Sequence, residues 1–193
     1  GSLDFTPPLD EYSTSVDGAY GMRLLDSTYT GNCIKIRRSS DNSETDIGFN
    51  AGGNLDTAAI TSFVGANSAY VTTWYDQSGN GRNATQTTSG SQPRIVNSGT
   101  IETRGSNSKP SIRFPSNGDW FNVTYSSNVR RSVFLAYEDD STHSWATPIG
   151  SVYTGGNSCY HGESNATAIF DVGANTSSTT TNGENRKDGV DIG

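Results

Sequence analysis

Residues Tyr70 to Tyr75 read YVTTWY, and DQSGNGRN follows at 76–83. Six β-branched and aromatic residues in a row favour a pleated strand, and the Asp, Asn, Ser and Gly cluster behind them supplies turn chemistry. On a regular strand Val71, Thr73 and Tyr75 share one face, and Tyr70, Thr72 and Trp74 share the other. Working outward, the same pairing of short strand and turn recurs. In Cys33 to Arg38 (CIKIRR) the two isoleucines alternate with Lys35 and Arg37. Further strands are predicted over Asp46 to Phe49, Gln92 to Val96, Ser111 to Phe114, Phe121 to Tyr125, Ser132 to Glu138, Ile149 to Tyr153 and Thr167 to Val172. Two short helices interrupt them. Asp17 is placed to cap one running through Leu25, and Asp56 to cap Thr57 to Val64, which Gly65 ends. Many short strands with turns between them predict an all-β fold, a two-sheet antiparallel β-sandwich with one or two short helices.

Composition agrees with that class. Of 193 residues, 31% are hydrophobic and 17% charged; Ser and Thr number 50, Asn 17 and Lys three, so the polar surface is mainly hydroxyl and amide. Such residues suit strands and turns and are poor material for helix bundles. Nineteen aromatics supply enough burial for a folded core despite a mean hydropathy of −0.60. Ala174 to Asn185 is the one stretch read as disordered. The formal charge of −7 repels phosphate backbones and anionic lipid, which argues against nucleic-acid binding. No apolar run reaches the ~18–20 residues of a membrane-spanning helix, so membrane insertion is not expected.

Residues 1–10 carry a Pro pair and read as a linker, and residues 11–193 as one domain. Cys33 and Cys159 leave open a single long-range disulfide or two separate thiols. Neither these cysteines nor His143 and His161 have zinc-ligand spacing.

Three stretches together carry a family likeness: AYGMRLLDSTYTGNCIKIRRSSDNSETDIGF, LDTAAITSFVG and VTTWYDQSGNGRNATQ. They resemble the start of the catalytic module of α-L-arabinofuranosidase B. A wider similarity, through Asp76 to Gly81, Phe114 and Asn117 to Trp120, is to laminin-G-like and concanavalin-A-like jelly rolls, including domains of phage tail fibres and bacterial surface proteins. The arabinofuranosidase resemblance implies two carboxylates, a nucleophile and a general acid/base, beside a vicinal Cys-Cys pair. This chain has no vicinal cysteines. The family's nucleophile is the Glu of a Met-Glu-aliphatic run, for which Glu163 is the best substitute here. RKDGV at Arg186 to Val190 resembles the hairpin that precedes the last strands of laminin-G-like folds. Those strands are either cut away or supplied by another chain through strand addition.

Candidate site residues follow from side-chain chemistry. Asp76 and Asn80, with Ser78 and Asn83, offer oxygens that could hold Ca²⁺ in the Gly-rich turn; capping of the turn itself is the structural alternative. Trp120, Trp145 and Tyr153, beside Asn117, Asp119 and His161, could stack on a sugar and select its hydroxyls; core packing is the rival for the rings. Glu163, Asp171, Asp139 and Asp140 are the candidate catalytic carboxylates. Neighbouring residues on a strand face opposite ways, so Asp139 and Asp140 would not readily converge on one bond. Arg37 and Arg38, near Asp41, Glu44 and Asp46, read as a structural ion-pair network.

With the family's catalytic marks missing, the sequence points to a non-catalytic glycan-binding or attachment domain on a virion or bacterial surface. It would work outside the cell, as part of a larger protein or a homo-oligomer, binding a glycan or glycosylated surface. Two alternatives remain open: an arabinofuranosidase-like glycoside hydrolase and a structural virion component.

Overall fold

A computed structural model describes residues 5–12, 16–116, 118–124 and 136, together with the backbone of four short strands further on. The chain divides into two compact units, Gly1–Val133 and Phe134–Gly193.

In the first unit a short helix, α1 (Leu9–Tyr12), follows the Pro pair and is tied down by Leu9 N–H to Leu25 O at 2.8 Å. Six strands then form one antiparallel sheet: β1 (Ile34–Arg38), β2 (Glu44–Ile47), β3 (Ala69–Trp74), β4 (Ala84–Thr85), β5 (Arg94–Asn97) and β6 (Thr100–Ile101). Their order is β2-β1-β3-β5-β6, with β4 also on β3. A two-stranded sheet pairs β7 (Thr103–Arg104) with β8 (Lys109–Pro110). Helix α2 (Thr57–Val64) crosses between β2 and β3. In the second unit β9 (Ile149–Gly150) pairs with β10 (Cys159–Tyr160), and β11 (Arg186–Lys187) with β12 (Val190–Asp191), both antiparallel. The all-β, antiparallel sandwich class is as expected, and the RKDGV stretch lies in a β11–β12 pair.

Helix α2 forms for the reasons its sequence gives. Asp56 Oδ1 accepts from Ala59 N–H at 3.0 Å, Gly65 ends the helix with its N–H on Thr61 O, and Ile60 and Val64 lie on the buried side. They join Ile34, Ile36, Ile47, Leu55, Val71, Ile95 and Val96 in one core, each at most 2% exposed. Burying an aliphatic side chain of this size contributes roughly 1.5–3 kcal/mol.

Three expectations change. Alternation along β3 is broken: Ile36 faces Val71 and Ile34 faces Trp74, so Thr72 is an extra residue in a β-bulge. The bulge turns Trp74 onto the core side with Val71, instead of leaving it with Thr72 on the opposite face. The predicted helix from Asp17 to Leu25 is absent. There the amides of Ala19, Leu24 and Leu25 bond to Asp76, Gly53 and Gln77, long-range partners that displace i to i−4 bonding. Finally, Ser111 to Phe114 contributes only an isolated bridge, Arg94 with Arg113, and Asn122 only one to Thr85. The predicted strands over 132–138 and 167–172 and the stretch 174–185 lie outside the described residues, apart from Ala136.

Candidate functional site

The turn after β3 binds the strap 16–25 to the end of the sheet. Asp76, 4% exposed, accepts four hydrogen bonds: Oδ1 from Ala19 N–H at 2.9 Å and Ser78 N–H at 2.9 Å, Oδ2 from Ser78 Oγ at 2.8 Å and Arg82 N–H at 3.0 Å. Burial pushes its carboxyl pKa up, but these donors outweigh burial and hold it below the usual carboxylate range. Gln77, 1% exposed, accepts from Leu25 N–H and donates to Gly21 O and Arg23 O. Asn80 Nδ2 reaches Val16 O at 2.8 Å, and Arg82 pairs with Asp17. Of the oxygens nominated for Ca²⁺, both of Asp76 accept from protein donors and Asn83 Oδ1 accepts from Asp76 N–H at 3.1 Å, while Asn80 takes part through its Nδ2, a donor. Among the described residues no group of three or more His, Cys, Asp or Glu is placed to hold a metal ion. This arrangement favours the ionised form of a buried carboxylate and orders the backbone around it.

A second feature surrounds Trp120. Its ring is half exposed while its backbone is pinned, N–H to Ser91 O at 3.2 Å and O from Gln86 Nε2 at 3.1 Å. Asp119 Oδ2 accepts from Ser116 N–H at 2.8 Å, closing the loop before it. Next to Trp120 in the chain, Phe121 meets Phe114 edge-on at 5.8 Å and Trp74 at 6.3 Å, and Trp74 meets Tyr20 at 5.8 Å. A polar file supports the loop from below: Arg37 Nε donates to Gln92 Oε1 at 2.7 Å, Gln92 Nε2 to Gln86 O at 3.0 Å, and Gln86 to Trp120. All three glutamines of the chain, Gln77, Gln86 and Gln92, are buried. Sequence reasoning missed them; their confinement to 77–92 was the available signal.

Sequence reasoning anticipated the Arg38 pairing. Its guanidinium grips Asp41 through two bonds, at 2.6 and 3.1 Å. Arg37 departs from it, bonding Gln92 and Asn42 and lying 5.1 Å over the Tyr70 ring. On the same sheet face Tyr75 Oη donates to Asp46 at 2.6 Å, and Lys35 lies 4.0 Å from Asp46. Cys33 is a buried free thiol. Asn117, Trp145, Tyr153, His161, Glu163, Asp171, Asp139 and Asp140 lie outside the described residues, so of the candidate site residues the structure places Asp76, Asn80, Asp119 and Trp120. Among the described residues no helix is long and apolar enough to cross a membrane.

Residues 10–193 match the family model described as "Alpha-L-arabinofuranosidase B, catalytic". The chain belongs to that family, a family of sugar-cleaving catalytic domains. Among its relatives, the probable α-L-arabinofuranosidase B of Aspergillus flavus is 40% identical over 90 residues, 44% of this chain and 18% of the relative. The α-L-arabinofuranosidase of Hypocrea jecorina is 36% identical over 90 residues, 45% of this chain and again 18% of the relative. This chain thus spans less than a fifth of the curated relatives it matches. Similar solved structures include a GH54 α-L-arabinofuranosidase soaked with a cyclic sulfate inhibitor and an arabinofuranosidase complexed with arabinofuranosyl-α-1,2-xylobiose. Each is 34% identical, with a TM-score of 0.39, covering 42% of this chain and 18% of theirs.

The family match overturns the expectation of a non-catalytic attachment domain or structural component on a virion or bacterial surface. That expectation rested on the missing vicinal cysteines and Met-Glu run. The match runs over residues 10–193, whereas those marks are only a few positions.

Proposed function

We propose that this protein is an extracellular glycoside hydrolase that cleaves α-L-arabinofuranosidic linkages in an arabinose-substituted polysaccharide. The observation that carries this reading is the catalytic-family match over residues 10–193. In the retaining form of the reaction one carboxylate attacks the anomeric carbon and a second, about 5–5.5 Å away, protonates the leaving oxygen and later activates water. Glu163 is the proposed nucleophile, with Asp171, Asp139 and Asp140 as the other candidate catalytic carboxylates. Trp120 would stack on the sugar beside Asp119, its loop held by the Ser116 and Gln86 bonds. The Asp76 turn and the glutamine file serve as scaffold.

Release of nitrophenol from 4-nitrophenyl α-L-arabinofuranoside tests the proposal. The wild-type protein should release it, Glu163→Gln should lose nearly all turnover, and Asp76→Asn at a temperature where it stays folded should keep it. Absence of release from arabinofuranosides by the folded wild type would overturn the activity. Full activity in Glu163→Gln would overturn the nucleophile assignment.

A further inference from the structure

On the rim of the first unit, the loop before β1 and the loop after β2 enclose a cleft of about 330 Å³ lined by Leu24, Tyr29, Asn32, Phe49, Asn50 and their neighbours. The volume falls within the roughly 300–1,000 Å³ typical of small-molecule sites. None of the lining residues carries a formal charge, and an uncharged lining does not select an ionic ligand. Tyr29 and Phe49 stand edge-on at 6.4 Å, both partly exposed, giving apolar ring surface on one wall. Exposed Thr30, Asn32 and Asn50 supply hydroxyl and amide groups. The Thr30 hydroxyl, the Asn32 side-chain amide and Asn50 Nδ2 have no protein hydrogen-bond partner among the described residues.

The walls are also ordered in advance. Asn50 Oδ1 accepts from Gly52 N–H at 3.0 Å and Asn54 N–H at 3.1 Å, and Leu24 N–H bonds Gly53 O at 2.7 Å beneath the loop. Tyr29 Oη donates to Asn32 O at 2.9 Å, which fixes its ring. That position requires Gly31, since a Cβ there would collide with the Tyr29 hydroxyl. Ring faces with unengaged amides and hydroxyls on a rigid, neutral surface are the chemistry that recognises a neutral sugar.

We propose that this cleft is an accessory subsite binding one or two neutral sugar units of a polysaccharide chain. As a statement about the protein's own substrate, it rests on the hydrolase reading above; as a binding site, it stands on the cleft. The test is titration of the isotope-labelled 193-residue chain with xylohexaose, followed by amide NMR shifts, with oligogalacturonate of equal length as the charged comparator. Shifts centred on residues 29–32 and 48–50 are expected with xylohexaose and not with oligogalacturonate. Tyr29→Ala should weaken binding at least ten-fold. Thr30→Trp, which fills the cleft from an exposed position, should do the same and covers the case in which Tyr29→Ala unfolds. Nitrophenyl arabinofuranoside turnover should be unchanged in both. Shifts centred elsewhere, equal binding of the charged oligomer, or affinity in the Thr30→Trp variant within two-fold of wild type would overturn the subsite. Xylohexaose binding at the cleft without any arabinofuranoside turnover would keep the subsite and overturn the hydrolase reading; turnover without cleft binding would do the reverse.

Discussion

Replacing Asp76 by asparagine keeps the size of the side chain and removes one acceptor position. Asp76 Oδ1 faces two backbone N–H groups and Oδ2 faces Arg82 N–H and the Ser78 hydroxyl. The amide nitrogen does least harm at Oδ2, because the Ser78 hydroxyl can rotate and accept. Arg82 N–H is then left facing another donor. A buried unpaired N–H costs about 1–3 kcal/mol, and the two bonds remaining at Oδ1 lose the roughly 0.5–1 kcal/mol each that the negative charge contributes. The total is about 3 kcal/mol, or a drop in Tm of roughly 6–12 °C for a chain of this size. Thermal unfolding followed by near-ultraviolet circular dichroism measures it. The pH dependence has a fixed sign. With the folded pKa held below the unfolded one, this stabilisation is complete above the unfolded carboxylate range and is lost as pH falls through the folded value. The gap between wild type and variant must therefore narrow on acidification. A Tm within about 2 °C of wild type at neutral pH, or a gap that widens toward acid, would refute the reasoning.

Two further outcomes follow from the same description. Cys33 is fully buried and burial pushes its thiol up to about 12, so iodoacetamide at mildly alkaline pH should modify residue 33 only after denaturation. Peptide mass mapping that finds labelling there in the folded protein would contradict this. Gly99 sits at φ +80° in the two-residue turn between β5 and β6, and a Cβ on it would lie 3.1 Å from Gly65 O. Gly99→Ala should cost about 1–3 kcal/mol, read as a lower urea midpoint; an unchanged midpoint would show the turn relaxes freely.

Much of the first unit was legible because local chemistry and tertiary demand agree there. Asp56, Ile60, Val64 and Gly65 each do what position and residue type predict, and so do Ile34 and Ile36. The sequence misled where long-range partners outbid local ones. The Ala19, Met22 and Leu25 spacing imitates a helix face, yet Asp76 and Gln77, more than fifty positions away, take the amides of Ala19 and Leu25. The bulge at Thr72 was equally invisible, since period-two alternation contains no sign of an inserted residue. As for the site, the structure shows Trp120 half exposed and Asp119 closing the loop before it. Asp76 drew attention as a ligand because Asp and Asn in Gly-rich turns serve two opposite purposes, holding a cation or satisfying amides, and composition does not separate them. The functional expectation failed for a related reason: absence of a flanking motif was weighed above similarity distributed along the chain.

The strap 16–25 has a consequence for how the chain assembles. Its anchors to the turn after β3 span 52 to 65 positions, and its backbone bonds to Leu9 and Gly53 also reach outside it, so the strap takes its shape from the surfaces it docks on. Ordering it late defers the entropy of closing that long loop until strands β1 to β3 can repay it. The strap then settles after the strands it docks on, although it precedes them in the chain.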